Sequence, residues 1–359
     1  MNPEPPAADE MEVSIFGPGK GEAVAVHVQD GRWLTVDSCR TSDGTLPVQA
    51  YLAALKVDIA SQVDYVVATH AHDDHMAGIA DFFSLCASAA FVTPAATTDR
   101  EFTSLLATDE AVKRRTGTSV REEFRRVFDV ARDQRRRITR ASEMTRLYDI
   151  NASVRLADAS VMTLSPSDAA SQRALEVLAQ THAQLGEYIR PDGLDLNSLS
   201  IALWVETPAA AVLLGGDLLK GPTGCGWRRI IDFLEPENAA SLIKVPHHGS
   251  ENADLPAAWT QLLAPLPVSL LTPYRAGVSP IPKPGDLERI AAKSSQVAVT
   301  AKTSPPTLNR RQRMLAGDLA TLGSNIRNAG GKIGQVQARR RPGESAWRVA
   351  VQSPAYRYR

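Results

Sequence analysis

Short apolar runs alternate with amphipathic stretches along most of this chain. Residues 64–69 are β-branched, aromatic and apolar, the pattern of a buried strand, and residues 76–86 change to apolar positions at helical spacing. Val24–Val28 alternates as a half-buried strand, while Ala211–Leu214 and Leu242–Val245 are short hydrophobic strands. Val120, Phe124, Val127 and Phe128 stand at helical spacing within an arginine-rich stretch, and a second helical pattern covers 167–189. Towards the carboxyl end come a strand at Val268–Thr272, a helix over 286–293, a strand at Val297–Thr300, and a hairpin through Val336 and Arg348–Val351. This mixture of strands and helices predicts an α/β protein.

The strand ends carry the chemistry. Three of the seven histidines fall in His70-Ala-His72-Asp-Asp74-His75, directly after the strand at 64–69, and two more are adjacent as His247 and His248 after the strand at 242–245. Histidine is the commonest transition-metal ligand, and a metal needs several ligands converging on one point. Residues two apart on a strand share a face, so His70 and His72 can grip one ion. Asp74 and His75 lie further along and can hold a second. A tetrahedral ion takes three or four ligands, so this crowd reads as a bridged pair of ions about 4 Å apart. Asp217, after two glycines at the end of the strand Ala211–Leu214, is placed to be the shared carboxylate. A purely structural zinc would ask for a closed shell, usually rich in cysteine. The set here is histidine and carboxylate, which predicts a dinuclear metal hydrolase. His27, inside its alternating strand, reads as structural, and so does His182 in mid-helix. Asp73 reads as solvated.

His-x-His-x-Asp-His after a strand, a later Gly-Asp and a terminal His-Gly together resemble the metallo-β-lactamase superfamily. Within it, Lys244-Val-Pro-His-His-Gly-Ser250 is most similar to the hydrolase domain of the bacterial competence DNA-uptake channel, and also resembles the choline-phosphate esterases of that branch. Residues 14–37 and Asn197–Trp204 are similar to the same branch. The resemblance implies an αββα sandwich over residues 11–359, with a basic helical insertion at 97–150 and a carboxyl-terminal completion of the sandwich at 276–359. It implies that His70 and His72 bind one metal, Asp74 and His75 the other, and that Asp217 bridges them. One of His247 and His248 completes the second site; His248 is preferred because the superfamily's last ligand commonly precedes glycine. Many members supply a further histidine to the first metal, where this chain reads Leu194-Asp-Leu-Asn197. Asn197, Asp195 or a water is expected there, which makes Mn²⁺ plausible beside Zn²⁺. Asp37 is expected behind the ligands or capping a turn.

Composition narrows the setting. The 359 residues are 43% hydrophobic, enough for a sizeable core, and the three cysteines form no paired spacing. Residues 1–10 are acidic and proline-rich, unlike a signal peptide, and predict a disordered tail and a cytoplasmic enzyme. Net charge is zero, with 40 basic and 40 acidic residues, yet residues 113–140 hold eleven Lys or Arg against four Asp or Glu. Further basic clusters lie at 310–313 and 339–341. Together they point to a phosphate-rich substrate. The expectation is a phosphodiesterase or nuclease acting on DNA or RNA through a metal-bridged hydroxide that Asp74 orients, with two divalent ions as cofactors. Lys244, Ser250, Arg125, Arg126, Arg135 and Arg136 are its candidate substrate contacts, and His247, Tyr274 or Arg275 could also meet the phosphate. A small diester or other ester is the alternative substrate, and a catalytically silent regulatory subunit the remaining one.

Overall fold

The computed structural model describes residues 4–17, 21–41, 43–98, 120–148, 156, 158–184, 195–275, 280–303 and 333–358. In chain order the first strands are β1 (Met11–Gly17), β2 (Ala23–Gln29), β3 (Arg32–Val36), β4 (Val63–Val67), β5 (Ala90–Pro94) and β6 (Ile138–Ala141). Next come β7 (Arg146–Tyr148), β8 (Ser160–Thr163), β9 (Leu203–Glu206), β10 (Ala211–Leu214) and β11 (Ala240–Lys244). The last are β12 (Leu263–Leu271), β13 (Gln296–Val299), β14 (Gly334–Arg340), β15 (Arg348–Gln352) and β16 (Tyr356–Arg357). They form two mixed sheets, ordered β15-β14-β1-β2-β3-β4-β5-β6 and β16-β13-β12-β11-β10-β9-β8-β7. The carboxyl-terminal portion thus adds strands to both sheets.

The two sheets pack face to face, and helices cover the outside of each. Along β4, Tyr65 and Val67 enter the core between the sheets, while Val63 and Val66 face the helices Pro47–Ala54 and Ile79–Leu85. Along β10, Val212 and Leu214 point inward, and Ala211 and Leu213 pack under the helices Gly226–Phe233 and Pro284–Ala291. Strands covered on both faces read as continuous apolar runs, which is what these sequences show. Each buried Val or Leu contributes about 1.5–3 kcal/mol of transfer free energy. The architecture is the expected αββα sandwich. Strands β3 to β6 run parallel, as do β10 to β13, so their carboxyl ends gather at one edge. No helix among the described residues is long and apolar enough to cross a membrane.

Three expectations need correction. Residues 7–10 are tied to the fold rather than left as a free tail: Glu10 is buried, pairs with Arg348 and caps the Ala7 N–H, and the Ala8 carbonyl accepts from Asp30. The helix expected over 76–86 breaks at Gly78, where φ is +83°. The N–H groups of Gly78 and Ala80 instead donate to the buried carboxylate of Glu123, at 3.1 and 3.0 Å. That carboxylate belongs to the helix Val120–Asp133; among the described residues of the insertion, this helix packs on Ile79–Leu85, and β6 and β7 extend the two sheets.

The third correction concerns charge. Arg121, Arg125, Arg126 and Arg132 are matched within the helix by Glu122, Glu123, Asp129 and Asp133. Arg125 pairs with Glu122 and Asp129 on its own helix, and Arg126 pairs with Asp81. Arg136 is a structural cation. Its guanidinium lies 3.5 Å over the Phe83 ring and donates to the carbonyls of Phe83, Cys86 and Ala89. Arg135, next to it, takes a left-handed φ of +53°. Lys113 to Arg115, part of the basic excess, lie outside the described residues, as does the cluster at 310–313. At the other cluster, Arg339 pairs with buried Glu12 and Arg341 with Glu10.

These contacts separate two arginines that look alike in sequence. Reversal of Arg136 to Glu should cost about 2 kcal/mol or more, because several charge-assisted hydrogen bonds vanish and carbonyls are left unpaired. Reversal of Arg125 should leave the urea midpoint nearly unchanged, as expected of an exposed ion pair. Urea titration of both variants checks this, and equal effects would contradict the structural assignment of Arg136.

His27 offers a second test. Its ring is buried; Nδ1 donates to the Glu10 carbonyl at 2.6 Å, and Nε2 accepts from the Gly31 N–H at 3.0 Å. Only the neutral ring satisfies both bonds. Burial pushes its pKa below 6.5, outweighing the bond to Glu10. The unfolded chain takes up a proton near its ordinary pKa of about 6.5, whereas the fold resists it, so stability should fall as pH drops through that value. Replacing His27 with Gln should flatten the loss between about pH 7.5 and about pH 5.5. Parallel pH slopes for variant and parent would rule His27 out as the responsible group.

Candidate metal centre

The histidine and aspartate candidates sit just past the carboxyl ends of strands. Asp37 follows β3, His70 to His75 follow β4, Asp217 follows β10, and His247 and His248 follow β11. Gly216 permits this crowding: its φ is +51°, and a Cβ there would lie 2.6 Å from both the Ile201 carbonyl and Ser200 Oγ. Ser200 Oγ in turn accepts the Asp217 N–H at 2.9 Å. Gly21 plays the same part opposite, since a Cβ would lie 2.8 Å from the Asp74 carbonyl oxygen.

The hydrogen bonds behind the ligands decide which ring nitrogen faces forward. His75 Nδ1 donates to Asp37 Oδ2 at 2.7 Å, and His248 Nδ1 donates to the Thr272 carbonyl at 2.9 Å. Thr69 gives its hydroxyl hydrogen to Asp37, so it accepts from His70 Nδ1 at 3.0 Å. In each ring the lone pair is therefore on Nε2. A carboxylate or carbonyl behind a metal-binding histidine, fixing tautomer and direction, is the usual arrangement. Asp37 serves two rings at once, from the place behind the ligands where it was expected.

Those lone pairs point at other acceptors. His75 Nε2 lies 3.2 Å from Asp217 Oδ2 and 3.6 Å from Asp74 Oδ2; His248 Nε2 lies 3.3 Å and 3.4 Å from the same two atoms. Both nitrogens are buried and make no hydrogen bond. A tetrahedral ion with bonds of about 2.0–2.2 Å sets its ligand atoms about 3.3–3.6 Å apart. The four nitrogen-to-oxygen distances are thus those between one ion's ligands, and Asp74, His75 and His248 form one compact donor group. On the other side, His70 Nε2 and His72 Nδ1 approach to 2.9 Å, and His70, His75 and Asp217 offer a second compact donor group.

Electrostatics agree with this reading. Glu22, Asp37, Asp74 and Asp217 converge here with Lys244 as their buried cation, paired to Glu22 and 3.8 Å from Asp217. Four carboxylates against one ammonium leave more negative charge than one divalent ion neutralises, and burying charge unpaired is costly. Without a cation between them the carboxylates draw protons onto the rings. Burial opposes the charged form of His248, yet Asp217 and Asp74 push its pKa up to about 10. His75 is held well above its ordinary value, against burial, by Asp217, Asp74 and Asp37. Burial works against ionised Asp74, but His75 and His248 bring it down to about 2. His70 is pushed the opposite way, by burial first and then by His75 and His72.

The remaining candidates divide. His247 is half-buried and bonded at both nitrogens, to Asn252 Oδ1 at 2.8 Å and Asn197 Nδ2 at 3.3 Å, so the spacing of a metal shell belongs to His248. Lys244 was expected to meet substrate; it is fully buried, donating to the Gly216 carbonyl at 2.8 Å, and steadies Glu22 and Asp217 from behind. Ser250 closes the turn after His248 through its N–H on the His247 carbonyl. Tyr274 stacks on the His248 ring with centroids 5.5 Å apart, and Arg275 donates to the Lys302 carbonyl. Glu22 was missed at the sequence level, because a lone glutamate after a glycine-rich loop carries no spacing signal.

Residues 17–95 match the model of the metallo-beta-lactamase superfamily, the stretch that carries Glu22, Asp37 and the histidine motif. Over that stretch the chain is similar to the metallo-β-lactamase superfamily. Among solved structures, the metallo-beta-lactamase fold protein YhfI from Bacillus subtilis is 14% identical, over 81% of this chain and 95% of its own, with a TM-score of 0.38. Hydrolase AbOPH, of the beta lactamase superfamily, is 13% identical over 65% of this chain and 77% of its own, with a TM-score of 0.34. Zn²⁺-bound PqqB from Methylobacterium extorquens is 12% identical over 62% of this chain and 59% of its own, with a TM-score of 0.32. No curated protein matches the sequence. The superfamily is generally metal-dependent and hydrolytic, and the donor groups of this domain fit that chemistry.

Proton accounting gives a direct test. At neutral pH the metal-free rings of His75 and His248 hold protons that a metal must displace. Loading the protein near pH 7 should release about two protons. Apparent affinity should rise with pH until the His248 value of about 10 is passed. Calorimetry in buffers of different ionisation enthalpy measures the release, and none at all would contradict the assignment of these rings.

Proposed function

We propose that this metallo-β-lactamase domain is a dinuclear metal-dependent phosphodiesterase. The observation that carries the reading is that His75 Nε2 and His248 Nε2 each lie 3.2–3.6 Å from both Asp74 Oδ2 and Asp217 Oδ2 in a buried space. His70 and His72 join Asp217 to hold the partner ion. Two divalent ions held there would supply a nucleophile from water at neutral pH and would take up charge on phosphoryl oxygens. The chain's own part is to fix the donors. Asp37 orients His75 directly and His70 through Thr69, the Thr272 carbonyl orients His248, and Lys244 offsets Glu22 beneath them. With two divalent ions the buried groups carry one net positive charge before solvent or substrate is counted, which suits a monoanionic diester.

A nucleic-acid substrate is supported by the likeness of Lys244–Ser250 to the competence-type hydrolases and by the basic runs. The matched charges of the helix Val120–Asp133, and the structural task of Arg136, favour a small diester as the second reading. The expected metal is Zn²⁺, with Mn²⁺ the alternative.

Substituting Ala for His72 or Asp217 should lower hydrolysis of a chromogenic diester by more than about 100-fold, beyond the cost of losing a ligand's own hydrogen-bond partner. The protein should remain folded. Assays with Zn²⁺ and Mn²⁺ supplied separately, on the small diester, DNA and RNA, distinguish the two readings. A folded Asp217→Ala protein that keeps its metal and its turnover would overturn the dinuclear proposal.

A further inference from the structure

Asn197 stands at the edge of the candidate metal centre, hydrogen-bonded to His247, and its side chain is buried. It is 6% exposed, and its Oδ1 is buried with no hydrogen-bond partner. An orphaned buried carbonyl oxygen is costly and calls for an explanation. The segment carrying it is clamped at both ends of the site. Asp195 accepts the Asn197 N–H at 3.0 Å, the Ile201 N–H donates to the Thr69 carbonyl beside His70, and Ser200 Oγ holds the Asp217 N–H.

The amide's orientation follows from a chain of donors and acceptors. Asn252 Oδ1 is 2.8 Å from His247 Nδ1, so the His247 hydrogen lies on Nδ1 and the lone pair on Nε2. His247 Nε2 then accepts from Asn197 Nδ2 at 3.3 Å. The nitrogen of the amide faces His247, which turns the oxygen away from it. Asn and Gln orientations are read from such networks, and this one leaves Oδ1 as the free acceptor. The tandem of His247 and His248 is held by a backbone that glycine would suit better, with φ of +47° and +52°. Strain of this kind persists only where the surroundings enforce it, often at functional sites.

We propose that Asn197 Oδ1 is a protein ligand of the metal held by His70 and His72, and that His247 positions the amide without binding metal. This deepens the dinuclear reading and rests on it. Each ion would then have two ring nitrogens and two oxygens. The sites differ in charge: one oxygen of the His75 and His248 site is the Asp74 carboxylate, whereas the matching oxygen here is a neutral amide. The first site should therefore be the weaker, and its neutral oxygen should favour Mn²⁺ relative to Zn²⁺ more than a third imidazole would.

The experiment is metal titration of the full-length protein by competition with a chromogenic chelator, with occupancy read by elemental analysis and Mn²⁺ by EPR. The parent protein should bind two ions of unequal affinity. Asn197→Ala should weaken only the weaker ion, by at least about 10-fold, the least that losing even a ligand's outer partner costs. His247→Ala should act on the same ion by about 10-fold, as expected of a positioning residue. Asn197→Asp separates ligation from support: it keeps an oxygen but loses the donor to His247. A ligand role predicts retained or tighter binding of the weaker ion; a purely structural role predicts its loss. Asn197→His should shift that site's preference towards Zn²⁺. Retention of the tighter ion serves as the folding control for every variant. Unchanged affinity in Asn197→Ala, or loss of the weaker ion in Asn197→Asp, would overturn the proposal. A parent protein that binds no ion pair would instead defeat the dinuclear reading itself.

Discussion

Near one edge of the sandwich, His75 and His248 turn their Nε2 atoms toward the carboxylates of Asp74 and Asp217, and everything else at the site serves that confrontation. Acceptors that face acceptors in a buried space repel unless a proton or a cation lies between them. The groups behind the rings make the confrontation unavoidable, because Asp37 and the Thr272 carbonyl hold the hydrogens on Nδ1. Lys244 offsets part of the charge from below, against Glu22. The site is thus built with a cationic deficit, and metal is the species whose geometry and charge fit it.

Such a site has to be held by something that does not depend on it. The ligands ride on turns that leave parallel strands, where the backbone is free of ladder bonds and can take unusual conformations. Asp37, His247 and His248 all have left-handed φ angles. These are costly for residues with a Cβ, on the order of 1–3 kcal/mol each. The surrounding layers bear that cost. Val67, Leu214 and Leu242 sit in the core between the sheets just below the ligand turns, and packing there is indifferent to what the turns bind. The parallel arrangement of β3 to β6 and β10 to β13 brings the turns to one edge, as is general for open α/β sheets.

The sequence disclosed what is local. His70, His72, Asp74, His75 and Asp217 were legible because metal chemistry demands particular residue types at strand ends, and both motif and strand fit within a dozen residues. The sandwich was legible too, from strands apolar on both faces. What escaped depended on partners far away in the chain. Glu123 caps the turn at Gly78 across forty-five positions. Arg136 looked like a substrate contact because charge is visible in a sequence, whereas the carbonyls of Phe83, Cys86 and Ala89 that employ it are not. Lys244 was misjudged for the same reason: a lysine at a strand end reads as exposed until the buried carboxylate beside it is found.

The adjacent histidines show how far a motif can mislead without being wrong. In sequence His247 and His248 compete for one role, and the glycine that follows tips the choice to His248. In space they do not compete, because two successive left-handed residues splay the rings apart, with centroids 6.1 Å from each other. His248 is driven inward against Asp74 and Asp217, stacked beneath Tyr274. His247 is directed to the half-exposed flank, between Asn252 and Asn197. One backbone distortion therefore supplies a buried ring with a fixed lone pair and, beside it, a hydrogen-bonded ring that controls an amide. A single histidine in a relaxed turn could do either task, but not both.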